Sequence, residues 1–182
     1  MAVGAILTQN TNWRNVEKAI DNLEREGKLN ASAIHKITPE RLASLIRPAG
    51  YFNIKAKRLK HFVDFLLKEY SGRMAEMKQE EMDVIREKLL GVNGIGPETA
   101  DSIILYALKK PVFVIDAYTK RVLSRHDIMD HDEIYDNFQE LFHSNLKRDV
   151  RLFNEYHALF VRVAKEYCRT KPRCGECPLE EV

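Results

Sequence analysis

The chain has 182 residues, 45% of them apolar and 31% charged, and a formal net charge of only +2. Such a length suits one mid-sized domain or two small ones, and the balance is that of an ordinary water-soluble globular protein. No apolar run approaches the roughly 20 residues of a bilayer span, and Met1 to Leu7 has neither the basic lead nor the cleavage site of a secretory leader, so the expected location is cytoplasmic and nucleoid-associated.

In chain order, the elements read as helices. Thr11 to Leu23 sets Val16, Ile20 and Leu23 on one stripe. Thr38-Pro39-Glu40-Arg41 is a helix start, with a capping hydroxyl, proline at the first helical position and then an acid; that helix should stop before Pro48. Ile54 to Tyr70 presents Leu59, Phe62, Val63, Leu66 and Leu67 as its apolar face. Further helices are predicted over Met82–Leu90, Pro97–Leu108, Thr119–Ser124, Ile134–Phe142 and Asn154–Tyr167. One run, Val112 to Ile115, is strand-like, and it reads equally as a buried connector. The fold class is therefore all-α. Two basic clusters, Arg47, Lys55, Lys57, Arg58 and Lys60, then Lys109, Lys110, Lys120, Arg121 and Arg125, could line a phosphate-binding face. Solvated helix faces are the plainer reading.

Leu89 to Asp101 is the most informative stretch. Gly94 and Gly96 bracket Ile95 between a helix that ends near Leu90 and one that opens at Pro97. Glycines there allow positive φ and close backbone approach, N–H groups left open at a helix start can meet a phosphate, and Ile95 would anchor the hairpin. A tight turn between helices is the plain alternative.

Val92 to Ser102 resembles the helix-hairpin-helix of the endonuclease III superfamily of DNA glycosylases. Three further segments extend the resemblance in the family's order: Thr8-Gln9-Asn10-Thr11, Gly50-Tyr51-Phe52-Asn53-Ile54-Lys55-Ala56, and Phe113 to Val122 with its Asp116. The resemblance implies two helical lobes flanking a DNA groove. Residues 8–122 would form a helical-barrel lobe carrying the hairpin at about 84–108; residues 1–7 and 123–182 would form a second lobe with a cysteine loop over 168–182. It also implies a monomer on duplex DNA that contains a damaged base. Gly94, Ile95, Gly96, Thr99, Lys55 and Lys120 would meet the backbone, and Gln9 and Asn10 would fill the space left by an extruded base.

Breaking an N-glycosidic bond builds positive charge on the sugar, so the family's catalytic acid, here Asp116, would stabilise it and could orient the attacking water. Capping the following helix is Asp116's plainer role, and the two can coexist. Where bifunctional family members carry an imine-forming lysine, this chain has Glu98, which cannot form an imine. The resemblance therefore implies a monofunctional enzyme, with Glu98 the second acid of the site; a helix N-terminus favours an acid there in any case. The segments around Gln9, Tyr51 and Glu98 look most like the 3-methyladenine glycosylase branch. A cationic alkylated purine leaves readily and stacks on aromatic faces, for which Trp13, Tyr51 and Tyr118 are pocket candidates.

Cys168, Cys174 and Cys177 are the three cysteines of the chain. Their clustering reads as metal ligation, and the resemblance implies a [4Fe–4S] cluster. Their first gap is one residue shorter than in the best-known members, and the fourth thiolate would fall just after Val182, as in a truncated chain. Two other functions are carried forward: a bifunctional endonuclease III-like lyase for oxidised pyrimidines, and a non-catalytic helix-hairpin-helix DNA-binding module.

Overall fold

The computed structural model describes residues 1–180, and these are helical with no strand among them. The chain divides into two compact units, one of Met1–Lys109 and one from Lys110 onward. Residues 1–7 thus belong with the first unit, and Asp116 with the second. Residues 181 and 182 of the expected cysteine loop lie outside the described residues.

The first unit contains α1 (Ala2–Leu7), α2 (Trp13–Arg25), α3 (Ala31–Lys36), α4 (Pro39–Leu45), α5 (Phe52–Tyr70), α6 (Met74–Met77), α7 (Met82–Leu90) and α8 (Pro97–Ser102). Side-chain caps start several of them: Asn12 accepts from Asn15 N, Asn30 from Ala33 N and Thr38 from Arg41 N. Helix α5 is the spine of the unit, with Ala56, Leu59, Phe62, Val63 and Leu66 buried at helical spacing. Ile6 and Leu7 of α1 are fully buried, and α1 packs on α2, α5 and α8. That burial is why residues 1–7 join this unit. Helix α4 stops at Leu45, before Pro48 as expected, and a 3-10 turn, Arg47–Ala49, carries the chain to Gly50. Helix α8 widens into a π-helical turn over Ile103–Ala107, closed by Leu108 N donating to Ile103 O.

The second unit contains α9 (Ala117–Arg125), α10 (Tyr135–Asn145) and α11 (Val150–Glu166), with Asp149 capping α11. Val112 to Ile115 is the buried connector rather than a strand. Its backbone polar groups are met by side chains of α10 instead of a ladder: Phe113 N donates to His143 Nε2 (3.0 Å), Gln139 Nε2 to Phe113 O (2.7 Å) and Ile115 N to Tyr135 Oη (3.2 Å). The Phe113 ring stacks on Phe142 at 3.7 Å and meets Phe153 edge-on at 5.3 Å. This packing draws the connector, and with it Asp116, into the second unit.

Candidate active site

In the first unit, α7 and α8 form the hairpin. Gly94 has φ +91°, and a Cβ there would lie 2.3 Å from Arg58 Cγ, so both backbone and packing require glycine. Gly96 differs. It is extended, at φ −97°, and a Cβ would meet nothing within 4 Å. Ile95 is buried, as expected of the anchor, while Glu98 is exposed on the first turn of α8. The two helices are clamped by a pair that the sequence reading missed: Arg86 Nε lies 2.9 Å from Asp101 Oδ1, and its Nη2 3.4 Å from Oδ2, with Asp101 fully buried. An acid inside the apolar run after Thr99 was the available signal, since a buried carboxylate demands a partner.

The polar tip after α1 is tied to this hairpin. Gln9 Nε2 donates to Gly94 O (3.1 Å) and to Thr99 Oγ1 (2.9 Å), and Arg58 donates to Gln9 Oε1. Buried Thr99 therefore braces Gln9 rather than facing outward. Asn10, beside it, is exposed with φ +52°. Lys55 departs from its expected role. It is 1% exposed, and its Nζ donates to Leu7 O (2.9 Å) and Ala49 O (2.7 Å), the last carbonyls of α1 and of the 3-10 turn. An ammonium suits helix ends that present open carbonyls. Burial, with the Arg58 charge beside it, lowers its pKa from 10.5 to about 8. Lys55 therefore holds two loops in place, its ammonium buried on two carbonyls.

Of the aromatic candidates, Tyr51 is 70% exposed and sits at φ +46°, a costly backbone region for a side chain of this size. Trp13 is half-exposed; its Nε1 donates to Glu17 and its ring covers Gly4, where a Cβ would lie 3.3 Å from the ring. In the second unit, Tyr118 has Arg121 and Lys165 within cation–π distance, at 5.2 and 5.5 Å.

Asp116 starts α9. Its Oδ1 accepts from Thr119 N (2.7 Å) and Thr119 Oγ1 (2.9 Å), and its Oδ2 lies 3.5 Å from His157 Nε2. The two side chains are 12% and 14% exposed. Burial pushes the Asp116 carboxyl up, but the His157 imidazole and the Thr119 hydrogen bonds outweigh it and hold the group below the usual carboxylate range. The sequence reading missed His157, which looks like one more polar position on an amphipathic helix.

Most of the basic clusters is engaged within the chain. Lys120 Nζ donates to Glu133 O and lies 4.7 Å over the Phe138 ring; Arg121 donates to Cys168 O and Ala164 O; Lys60 donates to His35 O and Ile37 O. The three cysteines line one cavity of about 240 Å³, shared with Arg125, Tyr167 and Leu179. Arg125 Nη1 donates to Cys168 Sγ at 3.3 Å. These donors fit an iron–sulfur cluster in kind but are three in number, and no group of three His, Cys, Asp or Glu among the described residues is arranged around a metal position.

Residues 3–148 match the HhH-GPD superfamily of base excision DNA repair proteins. A Methanocaldococcus jannaschii protein named as a DNA repair glycosylase is 48% identical over all of this chain and 83% of its own length. Endonuclease III of Thermotoga maritima is 26% identical over 98% of this chain and 78% of its own. Among solved structures, the H. pylori 3-methyladenine DNA glycosylase bound to 1,N6-ethenoadenine is 32% identical, with a TM-score of 0.82 over 91% of this chain and 83% of that one. Endonuclease III in a non-covalent DNA complex is 20% identical, covers 100% of this chain and 80% of that one, and at a TM-score of 0.83 shares the fold. The hairpin, the capped aspartate and these matches together make the chain a DNA glycosylase of the HhH-GPD base excision repair superfamily.

Proposed function

We propose that this glycosylase is monofunctional and releases an alkylated purine of the 3-methyladenine type from duplex DNA, with Asp116 as the reacting carboxylate. The observation that carries the reading is Glu98. It stands exposed on the first turn of α8, where an enzyme working through an imine needs an amine. The likeness to the H. pylori 3-methyladenine enzyme, at 32% identity, supports the same branch.

In this reading the alkylated base carries its own positive charge and departs without strong acid catalysis. An ionised Asp116 then stabilises the charge that develops on the sugar and orients the attacking water. The exposed Tyr51 ring offers a stacking face for the cationic base. Gly94, Ile95 and Gly96 bring the hairpin backbone to a phosphate, and Gln9 with Asn10 enters the gap left by the extruded base. Cys168, Cys174 and Cys177 would supply three of the four thiolates of an iron–sulfur cluster, a structural element with no part in base removal.

The test is base release from duplex DNA containing 3-methyladenine, comparing native protein with Asp116→Asn, alongside borohydride trapping. Free base from the native protein alone, without a trapped adduct, is the expected result. A covalent adduct would mean that the imine-forming, bifunctional chemistry is the correct one.

A further inference from the structure

We infer that His157 is the positioning residue for Asp116, holding the carboxylate oxygen that the helix cap leaves open. The inference rests on Asp116 being the reacting carboxylate. Both hydrogen bonds of the cap, from Thr119 N and Thr119 Oγ1, fall on Oδ1. A carboxylate held by one oxygen can still swing its other oxygen about that anchor. Helix α11 places His157 Nε2 3.5 Å from Oδ2, with both side chains nearly buried. A residue present only to cap α9 needs no imidazole on its second oxygen. A carboxylate that must face a developing positive charge at a fixed angle does, because misorientation by a fraction of an ångström costs rate.

His157 is also the titratable neighbour best placed to act on Oδ2. The Val112–Ile115 connector carries no titratable side chain. On α10, Tyr135 and His143 are bonded to backbone N–H groups of that connector. On α9, Lys120 points to Glu133 O, and Arg121 to Cys168 O and Ala164 O. Lys165, further along α11, lies over Tyr118. Nε2 is buried and faces Oδ2 at 3.5 Å, so the role inferred for it is to present Nε2–H to that oxygen as the carboxylate settles on the substrate. A glutamine amide, whose Nε2 occupies nearly the same place, should therefore replace it, and a leucine of similar bulk should not.

The experiment is single-turnover base release against pH for native protein, Asp116→Asn, His157→Leu and His157→Gln, with a ¹³C NMR titration of the Asp116 carboxyl in each protein that retains it. His157→Leu should slow the chemical step by roughly ten- to a hundredfold with little change in KM. It should also move the acid limb of the profile, and the Asp116 titration, to higher pH. His157→Gln should recover the rate to within about threefold of native. Equal rates for the leucine and glutamine variants, with an unmoved carboxyl titration, would overturn the inference. Should the leucine variant not fold, a folded glutamine variant that fails to recover the rate would do the same. Full activity in Asp116→Asn would instead remove the catalytic reading of Asp116 itself, and the NMR titration would still report whether His157 governs that carboxyl.

Discussion

Lys55 gives the sharpest test of how the first unit supports its loops. Its pKa falls from 10.5 to about 8 because the ammonium is buried, with the Arg58 charge beside it. At about 1.4 kcal/mol for each tenfold change in proton affinity, that drop corresponds to about 3 kcal/mol. The pH dependence follows in sign. Below about pH 8 both folded and unfolded states hold the proton, and the full cost of burying the charge is present. Between about 8 and 10.5 the unfolded state binds more protons, so stability rises with pH; above 10.5 the cost is gone. Lys55→Met keeps the buried length but cannot titrate. Native protein should thus gain about 3 kcal/mol on Lys55→Met across that window, measured by urea unfolding followed by circular dichroism. At neutral pH the variant leaves Leu7 O and Ala49 O without their donor, at roughly 1–3 kcal/mol each, offset by the absent ammonium. Base release should fall further than stability does, because one side chain anchors both the Gln9 tip and the turn that leads to Tyr51. Parallel stability curves for the two proteins from pH 8 to 10.5 would refute the account.

The remaining predictions concern the hairpin and the carboxylate. Gly94→Ala should destabilise the fold by about 1–3 kcal/mol, from its positive φ and from Arg58, whereas Gly96→Ala should melt within about 0.5 kcal/mol of native and bind duplex DNA less tightly in a salt titration. Asp101→Asn should cost about 1–3 kcal/mol in chemical unfolding by removing the buried charge that faces Arg86, while replacing both partners with apolar residues should cost less. Asp116→Asn should unfold within about 1 kcal/mol of native, since asparagine caps as well as aspartate, yet lose at least about a hundredfold in base release. With its carboxyl held below the usual range, native protein should keep its rate down to mildly acidic pH and lose it only as pH falls through that lowered value.

Periodicity and cap residues made the helical fold legible: Met82–Leu90 matches to the residue, and Thr38-Pro39 starts α4 as read. Short elements escaped because six residues or fewer carry too little pattern, as with α3 and α6. The strand-like Val112 to Ile115 shows the limit of a local signal. A buried apolar run looks the same whether a ladder or the side chains of His143, Gln139 and Tyr135 satisfy its backbone. Charge misled in a related way. A lysine such as Lys55 reads as surface until its ammonium is seen on two carbonyls from distant segments.

The structure sorts the motif residues by what each does for the fold. Gly94 is required by Arg58 and by its own backbone, Asp101 by Arg86, Thr99 by Gln9, and Lys55 by two helix ends; the fold has a use for each of them. Gly96, Tyr51 and Asn10 are different. Gly96 stands where a methyl group would meet open space. Tyr51 and Asn10 hold left-handed backbone conformations while exposed to solvent, a trait shared with Ser71, Lys109 and Asp127, and of these Tyr51 carries an aromatic ring. Such conformations cost the folded state on the order of 1 kcal/mol or more and persist only where the surroundings impose them. A close backbone approach by DNA would account for the open glycine, and an unstacked base for the exposed ring. Asp116 lies between the two groups, since its Oδ1 serves the helix and its Oδ2 serves His157. For this reason the asparagine variant, which keeps the cap and loses the charge, separates the two uses of one side chain.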